Sequence, residues 1–450
     1  MRHLTPIDRA VAGYCRSWRI AKATEPDVAV VNPETLEEST LGDFQFRYID
    51  ISSVSHGRVV WDSVQNIRFA DSPSRARRVV RPGDTLICMV RPLLDSHTSA
   101  DWIEQDSYVC STGFAVFRSA GGLYPRFLKC LPFTEQVKRQ LVAWQCGTNY
   151  PAVNERDIRM LRVPVPPPHE QAAIARILDA VDTTIERTRE AVERARILDH
   201  SLLHDLLERG LGKQRSNKRP AYWTIKRVSE VAEVGSGVTL GKDVSGFKSV
   251  ELPYLRVANV QDGHLDLNTV KTVRIRCDEV DRYRLEAGDV LMTEGGDLDK
   301  LGRGTLWEGQ IPDCLHQNHI FRVRANRTVL DPRFFSYVVE SDIAKRYFMR
   351  VAKRTTNLAS TNKTQVRAFR FPVPPLSEQE QIITIVAAAK AKLNGLIQKD
   401  SVLQQLKKSL MHDLLTGKVR VDLSQGGFQV PASFFEPLPD DLLDAFEGKQ

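Results

Sequence analysis

The chain has 450 residues, 42% hydrophobic and 26% charged, with a formal net charge of +7 and a pI near 9.0. That length exceeds what one ordinary core serves and implies two or more domains, in a composition typical of soluble globular proteins. No run of about 18 apolar residues suggests a membrane span, and the start MRHLTPIDRA lacks the apolar stretch of a secretory signal. Seven scattered cysteines (15, 88, 110, 130, 146, 277 and 314) with no C-x-x-C pair argue for reduced thiols in a cytoplasmic setting, not for a disulfide frame or a zinc site.

In chain order, residues 1–162 predict a mixed α+β globular domain. Short β-type runs (RYIDISSV at 47–54, DTLICMV at 84–90) alternate with His-Gly, Pro-Gly and Gly-Gly turn signals, and a short helix is expected near 133–145. The run Pro164-Val165-Pro166-Pro167-Pro168 then favours a stiff, extended approach. From it to residue 212 the spacing predicts a long helix. Its seam alternates in steps of four and three through Ile174, Leu178, Val181, Ile185, Thr188, Val192, Ala195, Asp199, Leu202 and Leu206.

Residues 213–370 predict a second α+β domain, with runs YLRVAN at 254–259 and IFRVRA at 320–325 and a helix near 332–351. A second proline run opens a second long helix over 371–418. Ser377 and Glu380 are expected to form an S-x-x-E capping box at its start, and its seam is Ile382, Val386, Ala389, Leu393, Leu396, Asp400, Leu403, Lys407, Leu410 and Leu414. Residues 419–450 are an acidic tail for which disorder and docking on a basic partner both stay open.

The two halves repeat each other. SWRI (17–20) matches YWTI (222–225), GDTLI (83–87) matches GDVLM (288–292), and PRFL (125–128) matches PRFF (332–335). TNYPAVN (148–154) matches TNLASTN (356–362), VPVPPPHEQ (163–171) matches FPVPPLSEQ (371–379), and HDLL occurs at 204–207 and 412–415. Matches in chain order at nearly constant offset mean two copies of one unit. Forty residues of helix span roughly 60 Å and cannot bury a seam alone. Two equivalent units in one chain tend to pair about a pseudo-twofold axis, so the helices are expected to run antiparallel. The alternative is that each helix packs on its own globular domain.

The motif PxPPxxEQ followed by a long helix, present twice and alternating with globular domains, resembles the specificity (S) subunit of type I restriction–modification enzymes over about 17–417. The resemblance implies an α+β fold in which two target recognition domains in pseudo-twofold tandem repeat, 1–162 and 213–370, are separated by two long helices forming an antiparallel coiled coil. It implies that each domain reads half of a bipartite site on double-stranded DNA while the helices set the unspecified spacer. It further implies two modification (methyltransferase) subunits as partners, which methylate adenine N6 with S-adenosylmethionine, and it allows restriction subunits to join them. The S subunit itself performs no chemistry and holds no cofactor or metal.

The residues agree with a non-catalytic role. No N-P-P-[YF] or D-P-P-Y motif occurs. GSGVTLGKD (235–243) fails the phosphate-loop pattern, which places Gly at 236 and Ser or Thr at 243 where the chain has Ser236 and Asp243. His204-Asp205 and His412-Asp413 lack a third partner and read as polar helix-face positions. Phosphate contacts supply most of a DNA reader's affinity, and base contacts its specificity. The candidates for phosphate are Arg75, Arg77 and Arg78 in the first domain and Lys345, Arg346, Arg350, Lys353, Arg354 and Lys363 in the second. For base edges they are Thr148, Asn149 and Asn154, and Gln317, Asn318, Thr356, Asn357 and Asn362. The competing reading is solvated surface charge for the cations and turn-forming side chains for the rest. A freestanding DNA-binding protein, and an enzyme of another class on a duplicated fold, remain the rival functions.

Overall fold

The computed structural model describes residue 11 and residues 13–55, 57–102, 107–147, 149–211, 219–296, 301–354 and 359–421. The chain divides into two units, Met1–Arg189 with Gln398–Gln450, and Glu190–Ile397. Each unit holds one globular head together with parts of both long helices.

In the first unit the head contains two four-stranded sheets. One runs Ala29–Val31, Phe114–Ser119, Thr85–Cys88, Thr98–Ser99, and is antiparallel throughout. The other runs Gln65–Arg68, Gln45–Ile49, Tyr108–Ser111, Ala76–Val80, with a parallel pair at its centre. The helix Glu135–Trp144 is capped by Thr134, whose hydroxyl accepts from Val137 N. In the second unit the head repeats the first sheet as Ala232–Ser236, Ile320–Ala325, Asp289–Thr293, Gly304–Leu306. Its other sheet is three-stranded, Lys271–Arg276, Ser249–Leu255, Leu315–His316. The expected helix near 332–351 is two helices, Pro332–Glu340 and Asp342–Val351, broken at the extended Ser341.

The repeated Gly-Asp pairs are scaffold. Asp84 accepts from Arg81 N and receives the Arg118 guanidinium through two bonds of 2.8 Å. Asp289 likewise accepts from Glu286 N and holds Arg324 at 2.7 and 2.8 Å. Both carboxylates are fully buried, and a buried charge is tolerated when paired and hydrogen-bonded in this way.

The proline runs enter the long helices as short strands. Arg162–Val165 pairs antiparallel with Arg19–Lys22, and Arg370–Val373 with Thr224–Arg227. Each strand is the edge of a two-stranded ribbon, a setting that tolerates a residue without an N–H. The helices are Pro168–Arg209 and Leu376–Leu415. The second begins one residue before Ser377, because Pro375 O already accepts from Glu378 N and Gln379 N. Ser377 therefore lies inside the first turn, and the expected capping box does not set the helix start.

The Glu-Gln of each PxPPxxEQ instead ties helix to head. Glu170 accepts from Trp18 Nε1 at 3.1 Å, and Glu378 from Trp223 Nε1 at 3.0 Å. Gln171 takes a bond from Tyr124 N and donates to Gly122 O and Pro166 O; Gln379 takes one from Asp331 N and donates to Val329 O and Pro374 O. Tyr124 and Asp331 precede the two PRF segments, so the two motifs are halves of one junction. The helices end on Gly210 and Gly417, both at positive φ, where a Cβ would stand within 3.0 Å of Trp223 or Trp18. Only glycine provides both the left-handed turn and this close approach.

The seam divides its burial. Ile174 and Leu178 enter the first head's core with Leu414, while Leu206, Ile382 and Val386 enter the second head's core. Val181, Ile185, Leu403 and Leu410 pack helix on helix. Both arrangements considered for the helices therefore occur, at different points along them. The first helix also buries Leu203 and Leu207 beside Leu206, while Leu202 is only partly covered. Asp182 pairs with Lys407 at 2.5 Å and Arg189 with Asp400 at 3.1 Å in the first unit, so the helices run antiparallel. In the second unit Asp199 faces Lys390 at 3.8 Å in the same sense.

Candidate nucleic-acid interface

The cluster at 75–78 lies on the strand Ala76–Val80, an edge of its sheet. Arg75 is exposed, and Arg77 stacks over Phe69 at 4.9 Å. Arg78 is half-buried and bound to Glu155 at 2.7 Å, so its charge is largely spent inside the head. Arg81, just beyond, is committed with Arg118 to Glu34, whose carboxyl the two guanidinium groups hold down at about 2.

A second structure is common to both heads. In the first, Val90 bridges Ala152, and Arg91 N donates to Pro151 O. In the second, Gly295–Gly296, Ala359–Ser360 and Lys353–Arg354 form a small antiparallel sheet. Thr148, Thr356 and Asn357 lie outside the described residues, as does the side chain of Arg354. Asn149 is exposed, its carbonyl accepting from Arg91, and the Arg91 guanidinium stacks over the exposed Tyr150 ring at 4.3 Å. An exposed Arg on an exposed aromatic suits backbone or base contact. Sequence reading missed this pair, because Arg91 and Tyr150 are distant in the chain and sit in no basic run.

Asn154 and Asn362 cap the helices Glu155–Arg159 and Lys363–Ala368, each in a reciprocal capping box. Their side-chain oxygens are thus engaged with Asp157 N and Gln365 N. Gln317 and Asn318, expected to open a strand, precede the strand Ile320–Ala325: Gln317 bridges Val238, Asn318 lies in the following turn, and their amides bond to Leu255 O and Val238 O. Residues 345–370 hold eight cations and no acidic residue; of these Lys345 pairs with Asp262 at 2.8 Å, Arg346 Nε donates to Asp342 O, and Arg350 stacks over Tyr347. Lys353, Lys363, Arg367 and Arg370 are exposed and make no ion pair among the described residues. Of the cations in this segment they are the ones left without an acidic partner, a backbone acceptor or a ring contact among the described residues. Replacing Lys353, Lys363 and Arg367 together by Glu should weaken duplex binding uniformly across sequences and flatten its salt dependence, as an affinity titration at several salt concentrations would show.

Among the described residues each head also buries one histidine. Burial pushes His97 and His316 down to about 4, and each leaves Nε2 without a partner. A base with a depressed folded pKa takes up protons more readily when unfolded. The stability these histidines contribute is therefore complete above about pH 6.5 and falls as the pH drops toward 4. His316→Asn should reduce the pH slope of the second unit's melting in that window, as thermal melts across it would record.

Among the described residues no cluster of three or more His, Cys, Asp or Glu could hold a metal, and no helix is long and apolar enough to cross a membrane. The described cysteines are free thiols.

The family model described as "Type I restriction modification DNA specificity domain" matches residues 80–194 and 220–405, once in each repeat. The chain belongs to this family. It is 27% identical over 219 residues to the Methanocaldococcus jannaschii chain named as the putative specificity subunit of type I restriction enzyme MjaX, covering 48% of this chain and 50% of that one. It is 24% identical over 287 residues to the EcoKI specificity subunit of Escherichia coli K12, covering 61% of each. The chain thus aligns with half to three-fifths of the length of these relatives. A solved chain from a study of complex assembly and conformational transition in the type I R-M system superposes with a TM-score of 0.58 at 23% identity, over 90% of this chain and 99% of that one. The two-headed, two-helix architecture is therefore that of the specificity-domain family.

Proposed function

We propose that this chain is the DNA specificity subunit of a type I restriction–modification complex. Each head reads one half of an asymmetric bipartite site on double-stranded DNA, and the paired helices set the length of the unspecified spacer. The observation that carries this reading is the double match of the specificity domain, each copy joined to a long helix that pairs antiparallel with the other. The heads share their scaffold but differ at their edges: the basic strand Ala76–Val80 is shortened in the second head to a single antiparallel bridge between Arg284 and Leu315. Two different edges suit two different half-sites.

On this reading the chain is not an enzyme. Two modification subunits dock on it and transfer a methyl group from S-adenosylmethionine to adenine N6, and restriction subunits join as an optional third component. The site of action is the cytoplasm, in keeping with thiols that are unpaired. Co-expression with the modification subunit and native mass spectrometry of the purified complex tests the partnership. One copy of this chain with two modification subunits is expected; a chain that stays alone under these conditions would favour a freestanding DNA binder.

A further inference from the structure

The ends of the two long helices cannot tell the halves apart. HDLL and a terminal glycine close both helices, and a Glu-Gln pair seating a tryptophan opens both. The middle of the helices differs. Asp182 and Asp199 on the first helix correspond in the repeat to Lys390 and Lys407 on the second, and the structure pairs Asp182 with Lys407 and Asp199 with Lys390. Glu340 also faces the Lys390 ammonium at 2.7 Å. Arg189 pairs with Asp400, while their repeat counterparts Ile397 and Val192 are apolar.

If two first helices paired in this register, Asp182 would face Asp199 and Arg189 would face Val192. If two second helices paired, Lys390 would face Lys407 and Asp400 would face Ile397. Every one of these substitutes a like-charge or unpaired-charge contact for a complementary one, and like charges held opposite are strongly disfavoured.

We infer that the charges at 182, 199, 390 and 407 form a pairing code that makes each half of this protein accept the other half and reject a second copy of itself. The code favours one first half with one second half, with their different edges, and disfavours like-with-like pairing of halves from different chains. This conclusion is independent of which DNA is read.

The test uses the complete set of residues, co-expressed as two differently tagged polypeptides divided between Arg215 and Ser216, with mixed and self pairs counted by native mass spectrometry. The unmodified halves should form mixed pairs in excess by about tenfold or more. Asp182→Lys in the first half should lower mixed pairing and raise first-half self pairs, because the introduced ammonium then complements Asp199 of the other copy. Adding Lys407→Asp to the second half should restore mixed pairing yet leave self pairs in comparable amount, since every combination now carries opposite charges at these positions. In the undivided chain Asp182→Lys should lower the melting temperature and Lys407→Asp should recover it, which separates altered pairing from misfolding. Unmodified halves that self-pair as readily as they mix would overturn the inference, as would a double exchange that stays as selective as the original.

Discussion

Gln379→Ala should remove about 2–4 kcal/mol from the second unit while leaving the first nearly untouched. The side chain is fully buried and satisfies Asp331 N, Val329 O and Pro374 O. Its loss leaves Pro374 O buried without this partner and the part-buried Asp331 N and Val329 O without theirs, a lost partner costing about 1–3 kcal/mol where water cannot reach the group. The bonds also tie three separate segments, so the truncation loosens the start of the helix Pro332–Glu340 and the entry to the long helix together. Differential scanning calorimetry should show the second unit's transition falling by roughly 10 °C. Gln171→Ala should do the same to the first unit through Tyr124 N, Gly122 O and Pro166 O. If either variant melted like the parent, the Gln would not be the junction's fastener.

The second large effect concerns the spacer. Inserting seven residues between Glu190 and Ala191 and seven between Gln398 and Lys399 keeps the antiparallel partners in step, because the two points correspond in the repeat. Seven helical residues add about 10 Å, close to three base pairs at about 3.4 Å each. On the proposed function the unspecified gap should lengthen by about that amount with both half-sites unchanged. Half-sites that changed with the insertion would mean that the helices take part in reading bases.

The repeat, the proline entries and both long helices were legible in the sequence, because spacing of apolar residues and matched motifs are local signals. The function of Glu170 and Gln171 was not. Their partners Trp18 and Tyr124 lie far away in the chain, and only the fold brings them together. The same matching that revealed the repeat also picked out residues with a role in the scaffold. Asn154 and Asn362 stood out because both copies carry them, and both prove to be helix caps. Residues shared by the two heads hold the scaffold, as the Asp84–Arg118 and Asp289–Arg324 pairs do. Residues that read two different half-sites should be sought where the heads differ, such as the edge strand bearing Arg77 with Arg75 beside it, or the Arg91–Tyr150 stack. Arg78, a candidate for phosphate contact beside Arg75 and Arg77, is paired with Glu155, a partner no charge count reveals.

The most direct measurement is a map of N6-methyladenine in a host that expresses the cognate modification subunit with and without this chain. One bipartite motif, present only with the chain, is the predicted result. A soluble, assembled complex that leaves no such motif would contradict the reading of this protein as a specificity subunit.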